Sequence, residues 1–231
     1  MGKIENLDFK KNSLRKINSF LQNIDYKNNK REFAIKNPNG EHAICAGLKE
    51  DILVKINGHV GYYCGGMNQK ANIIINGNAG TGLGENMMSG IIHVKGSTSQ
   101  STGATAHGGT IIVDGDASSR CGISMKGVDI IVKGSVGHMS AFMAQAGTLL
   151  VCGNAGEALG DSIYETVIYI AGKPKSLGID CIEKKITKID IKKIENLLKQ
   201  GNIKKLKPSN FKKFGSARKL YNFNIDNVSN Y

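Results

Sequence analysis

The stretch Asn72-Ile-Ile-Ile-Asn-Gly77-Asn-Ala-Gly80-Thr-Gly82-Leu-Gly84-Glu-Asn-Met-Met-Ser-Gly90 decides the fold, because the next 19 residues, from Ile91 to Gly109, follow its pattern. A short β-branched run ends in a polar residue and a glycine, and more glycines follow seven and thirteen places on. Working outward, the same glycine falls at Gly58, Gly77, Gly96, Gly115, Gly134, Gly153 and Gly172, a spacing of 19 residues without a gap. Four residues before each mark stands an apolar residue: Val54, Ile73, Ile92, Ile111, Ile130, Leu149 and Ile168. Two before it stands a β-branched one: Ile56, Ile75, Val94, Val113, Val132, Val151 and Ile170. Residues two apart on a strand share a face, so these positions mark a half-buried strand. The position just before the glycine is polar in Asn57, Asn76, Lys95, Asp114 and Lys133.

Repeated strand-then-glycine units at a fixed short period describe a solenoid. The marked glycines are expected to turn the chain at low steric cost. Further corners are expected three residues on (Gly61, Gly80, Gly137, Gly156, with Ser99 and Ser118), seven on (Gly65, Gly84, Gly103, Gly122, Gly160) and thirteen on (Gly90, Gly109, Gly147). So many corners in 19 residues leave no room for a helix and a strand per repeat, which excludes leucine-rich and helical arrays. The expected fold is all-β: a right-handed parallel β-helix, a single-stranded solenoid of about seven 19-residue coils with short helical caps. At about 4.8 Å per coil the rod is roughly 30–35 Å long. The expected organisation is an N-terminal cap over 1–45, the β-helix over 46–180, and a C-terminal helix and arm over 181–231.

With 231 residues the chain is long enough for a large buried stack. No apolar run reaches the length of a membrane span, and Lys3, Glu5, Asp8 and Lys10 interrupt any leader, so a cytoplasmic location is expected. Cys45, Cys64, Cys121, Cys152 and Cys181 form no CxxC pair; reduced thiols are expected, with Cys64 and Cys121 filling the core. The net charge of +12 is uneven. Residues 37–172 hold seven basic and ten acidic side chains, or −3, whereas residues 173–219 carry +11. The basic residues are not interleaved with aromatic ones for stacking on bases, so an acidic partner protein is expected in preference to nucleic acid.

The flanks have another character. Leu14, Ile17, Leu21 and Ile24 recur at helical spacing, as do Ile191, Ile194, Leu197 and Leu198, the latter followed by Gly201 as a C-cap. Open coils expose unpaired backbone, so both helices are expected to cap rod ends. The stretch from Phe211 to Phe223 reads as an extended basic and aromatic arm on the rod or a partner, one the rod is expected to fold without when the chain ends at Lys207.

Candidate chemistry is sparse. Gly77 to Gly84 suggests a phosphate cradle, but no helix pattern follows and no GxxxxGK[ST] occurs, so these glycines are expected to be corners. His42, His59, His93, His107 and His138 share no column that would form a metal set. Met67, Met87, Met88, Met125, Met139 and Met143 fit either core packing or an adaptable protein face. The polar cluster at Asp161, Ser162, Tyr164 and Glu165 is expected to be an interface patch, and Glu85, Asn86, Met87 and Met88 a second one. No catalytic, cofactor-binding or metal-binding residue is expected on this chain. A hexapeptide acyltransferase is excluded because Val94 is followed at six and twelve by Gln100 and Ala106.

The coils from Gly58-His-Val-Gly-Tyr-Tyr-Cys-Gly-Gly-Met67 and from Gly77 to Gly90 resemble the GXGXG domain that ends the large subunit of glutamate synthase. Further segments are similar to the stand-alone GXGXG subunit of N-methylglutamate synthase: Ser119 to Gly127, Gly137 to Met143, Gly156 to Glu165 and Gly215 to Tyr221. The glutamate synthase domain has an arginine-rich ERFxVRNSG segment where Ser119 to Gly127 stands here, which favours the N-methylglutamate branch. One chain of formylmethanofuran dehydrogenase, its C component, is a more distant likeness. The resemblance implies a scaffold between a class-II glutamine-amidotransferase-like subunit and an FMN-dependent glutamate-synthase-like subunit that holds the FMN and the Fe–S cluster. It implies no site on this chain, and Met1-Gly2 offers no N-terminal cysteine nucleophile. The product would be N-methylglutamate from methylamine and glutamate. Other readings are a domain-3 subunit of a split glutamate synthase, an independent adaptor, or a protein similar to the C component of formylmethanofuran dehydrogenase.

Overall fold

A computed structural model describes residues 5–24 and 31–219. The end of the aromatic arm, with Tyr221 and Phe223, lies outside them. The strands are β1 (Glu5–Asp8), β2 (Glu32–Lys36), β3 (Leu53–Asn57), β4 (Asn72–Ile75), β5 (Ile91–Val94), β6 (Thr110–Val113), β7 (Lys126–Val132), β8 (Ala146–Val151), β9 (Val167–Ile170), β10 (Cys181–Lys184) and β11 (Lys212–Ser216). The helices are α1 (Leu14–Gln22) and α2 (Lys188–Gln200), with a 3₁₀ turn at Pro208–Asn210. One 11-stranded sheet runs β1 through β9 in chain order, then β11 and β10.

The sequence columns are the register of this sheet. Ile75, Val94, Val113, Val132, Val151 and Ile170 stand directly opposite one another in consecutive parallel strands, and all are fully buried. Ile73, Ile92, Ile111, Ile130, Leu149 and Ile168 form the second inward stack. A further parallel ladder crosses the coils at Val60, Ala79, Thr98, Ala117, Val136, Ala155 and Pro174. Cys64 and Cys121 fill the core as expected, and burial pushes both thiols up to about 12.

The sheet begins before the first marked coil, since β1 pairs parallel with β2, and β2 with β3. Helix α1 closes this end. Ser13 caps it, and Ile17 and Leu21 point into the core. Asn18 donates to the Ala43 carbonyl at 2.8 Å and accepts from the Cys45 amide at 2.9 Å, so it replaces the missing coil below.

Helix α2 does something other than cap an end. It lies along the outside of the sheet, where Ile194, Leu197 and Leu198 pack on Ile112, Ile131, Leu150 and Tyr169. Its direction follows from its polar contacts. Asp190 accepts from Tyr169 of β9, Lys193 pairs with Asp129 of β7 at 2.6 Å, and Gln200 meets Thr110 of β6. The helix therefore runs down the rod axis across four strands. The sequence carries the signal: the outward position reads Lys55, Ile74, His93, then Ile112, Ile131, Leu150, Tyr169, so the last strands are apolar on both faces. Gly201 ends the helix in a right-handed conformation, so left-handed freedom is not why glycine stands there.

The arm closes the other end of the rod. Strand β11 inserts between β9 and β10 and pairs antiparallel with both. Phe211 and Phe214 are buried. A chain ending at Lys207 would lose β11, the strand through which β9 and β10 join in the sheet, so the expectation that the rod folds without the arm meets an arm built into the rod's end.

Candidate functional site

The glycine ruler is a packing device. Among the seven marks only Gly58 has a left-handed φ, at +138°. At the others the space is missing: an added Cβ would stand 2.6 Å from the Gly58 carbonyl at Gly77, 2.0 Å from Asn78 Oδ1 at Gly96, and 2.3 Å from Ser97 Oγ at Gly115. Gly134, Gly153 and Gly172 meet Asp116, Ser135 and Asn154 in the same way. From Gly96 to Gly172 the side chain that follows the previous mark occupies that space, and the side chains from His59 to Asn154 accept the backbone N–H one coil on. Asn78 donates its amide to His59 Nδ1, Ser97 to Asn78, Asp116 to Ser97, Ser135 to Asp116, Asn154 to Ser135 and Lys173 to Asn154, all between 2.7 and 3.1 Å. This acceptor ladder was readable in the sequence as a column of short polar side chains beside the glycines. The glycines seven places on differ: Gly65, Gly84, Gly103, Gly122 and Gly160 have φ between +64° and +72° and do turn the chain. Gly77 and Gly80 are thus accounted for by coil stacking, and Gly84 by its left-handed turn.

The two expected interface corners lie on one edge of the rod. Glu85 and Asp161 both stand eight residues after a mark, and Met88 and Tyr164 eleven after. Four coils separate them, or about 19 Å. Glu85 and Asn86 are half-buried, and Asn86 Oδ1 accepts from Thr105 Oγ1 at 2.7 Å. Met87 turns inward and is fully buried, whereas Met88 is 49% exposed. The other methionines also divide: Met125 is in the core, Met139 is half-buried, and Met67 and Met143 are exposed. Asp161 accepts from Ser162 Oγ and the Ile179 amide. Tyr164 is half-buried, and Glu165 is tied to Arg218 of the arm at 2.7 Å.

A charged ladder escaped the sequence reading. On the column before the marks, Asp114 accepts from Lys133 at 2.7 Å and from His93 at 2.8 Å, with Lys95 at 3.6 Å. Burial opposes the charge on Asp114, but the bonds from Lys133 and His93 outweigh it and hold the carboxyl below its usual range. A second knot fixes α2. Buried Asp190 completes a capping box with Thr187, accepts from Tyr169 Oη at 2.6 Å and pairs with Lys213 at 2.8 Å. Burial again raises its pKa, and these bonds reverse that and lower it. The first cluster ties three consecutive coils to one another, and the second ties the coils to the C-terminal flank.

Among the described residues, no three His, Cys, Asp or Glu side chains are grouped as a metal would require. No helix among them is long and apolar enough to cross a membrane. Comparison with known proteins bears directly on what such a rod is. Residues 10–226 match the model of the GXGXG motif family. Protein GlxC of Rhizobium meliloti (strain 1021) is 49% identical over 225 residues, which cover 97% of this chain and 99% of that protein. The match spans both flanks as well as the coils, so the glycine ruler, the acceptor ladder and the covering segments fall within one unit. On this breadth of agreement the chain belongs to the GXGXG motif family, the family that its coil motifs indicate.

Proposed function

We propose that this chain is a non-catalytic scaffold subunit of a glutamate-synthase-like complex in the cytosol, specifically of an N-methylglutamate synthase. It joins a class-II amidotransferase-like subunit to an FMN and Fe–S synthase subunit, and these partners carry the chemistry. Family membership supports the glutamate-synthase association. The observation that carries the scaffold reading is that the glycines with the strongest look of a ligand loop are taken up by the coils themselves: Gly77 and Gly80 lie against the backbone of the preceding coil, Gly82 faces Glu85, and Gly84 faces Ile92 and Ile111. One edge of the surface bears two polar corners, Glu85 to Met88 and Asp161 to Glu165, about 19 Å apart along the stack. Exposed Met88 and Met143 suit contact with a partner, since methionine adapts its shape.

Reconstitution tests this reading. The chain alone should bind no flavin and form no N-methylglutamate from methylamine and glutamate. Coupled turnover should need this chain together with both partners. Full turnover without it, or flavin bound to it in isolation, overturns the proposal.

A further inference from the structure

One groove serves neither the coil stack nor the corner edge. It encloses about 600 Å³ between the rod, at Lys133 and Cys152, and the strap that leaves α2, residues 202–206. Ile203, Leu206 and Cys152 pack against the cluster beneath α2, so the floor is apolar. The walls are basic. Lys133 is already paired with Asp114. Lys204 and Lys205 are exposed and have no carboxylate partner among the described residues. The lining holds no carboxylate, arginine or aromatic ring.

That chemistry selects an occupant. Planar recognition of phosphate favours the arginine fork, and single-stranded nucleic acid is held by stacking on aromatic rings. Neither is present. Lysine point charges beside an apolar floor suit a peptide that carries both carboxylates and an apolar side chain. The surroundings reinforce this selection, because residues 173–219 hold +11 against −3 over residues 37–172. Such a field attracts an acidic surface and speeds its association.

We propose that this groove docks an acidic segment of a partner subunit, with carboxylates on Lys204 and Lys205 and an apolar side chain against Cys152, Ile203 and Leu206. The inference rests on the reading that the chain works within a complex, and it adds a contact site away from the corner edge.

The test uses the full chain and a fluorescein-labelled peptide of glutamates interspersed with leucines, followed by anisotropy at low ionic strength. A peptide with lysine in place of glutamate is the control. The acidic peptide should bind and the basic one should not. Lys204→Glu with Lys205→Glu should weaken binding by about tenfold or more, because two facing charges change sign. Lys192→Glu with Lys199→Glu, on the exposed side of α2, makes the same change in net charge and should cost less than about threefold. Thiol labelling gives a second readout: Cys152 is half-exposed and the other four cysteines are buried, so bound peptide should slow its reaction with a maleimide. Equal weakening by both lysine pairs, absence of binding, or unprotected Cys152 under bound peptide each overturns the groove. Co-purification with amidotransferase and synthase partners tests the complex separately. If the complex forms but no peptide binds, only the groove falls. If the peptide binds but no complex forms, the scaffold reading falls.

Discussion

Replacing Gly134 by alanine separates two explanations of the glycine ruler by the sign of the effect. The Gly134 backbone lies outside the left-handed region. If conformation alone mattered, alanine would stabilise the protein by about 0.4–1 kcal/mol, through a less disordered unfolded chain. Packing has the opposite sign. A Cβ there would stand 2.1 Å from Asp116 Oδ1 and 2.8 Å from the Gly115 carbonyl oxygen. The Asp116 side chain moves only by giving up the bond it accepts from the Ser135 amide at 2.7 Å. The Gly115 oxygen is held in place because it accepts from the Gly134 amide at 3.0 Å. Overpacking costs about 1–3 kcal/mol and a lost hydrogen bond about 1, so the expected destabilisation is about 2–4 kcal/mol. Thermal unfolding followed by circular dichroism should show a melting temperature lower by about 5–15 °C. Asp116→Ala removes one of the two obstacles. The pair should therefore cost about 1 kcal/mol less than the sum of the single changes. A Gly134→Ala protein that melts at or above the wild-type temperature refutes the packing account, and with it the acceptor ladder as the reason for the ruler.

Three further outcomes are expected. Ending the chain at Lys207 removes β11 with its buried Phe211 and Phe214; at about 3–5 kcal/mol for each ring, the truncated protein should lose cooperative melting, and an unchanged transition would contradict the inserted strand. The lowered pKa of Asp190 means its charged form stabilises the fold; that contribution is present above the ordinary value of 3.8 and is lost as pH falls below it. Asp190→Asn should lower stability at neutral pH by about 3 kcal/mol and flatten the acid limb of melting temperature against pH, so parallel curves for the two proteins would rule the linkage out. Val113→Asp places an unpaired charge between Val94 and Val132 in a fully buried stack and should cost several kcal/mol, which a soluble variant with unaltered melting would disprove.

The repeat was legible from the chain alone because each coil touches only its neighbours. A contact between adjacent coils is always a contact about 19 residues apart, so the columns ending in Val94, Val113 and Val132 already state the register. The same logic placed Cys64 and Cys121 in the core. It did not reveal why the glycines are there. Gly96 and Asn78 look like separate columns until the structure sets one against the other at a distance no Cβ tolerates. Nor did it separate Met87 from Met88, which follow the left-handed Asn86 and differ only in which of them the coil turns inward.

Tertiary structure alone decided where the segments that do not repeat come to lie. Gln200 meets Thr110 across 90 residues and Lys193 meets Asp129 across 64, separations that no period encodes. The outward column turns from Lys55, Ile74 and His93 to Ile112, Ile131, Leu150 and Tyr169, so the sequence does show that something must cover the later strands. That α2 covers them, that β11 then returns between β9 and β10, and that the strap between the two leaves a basic groove beside Cys152 depend on where chain segments of no fixed spacing come to rest. Local periodicity determines the rod, because its strands bury apolar faces at one constant separation. The flanks are placed by long-range burial and by a few polar anchors such as Asp190, and these exist only once the rod is there to receive them.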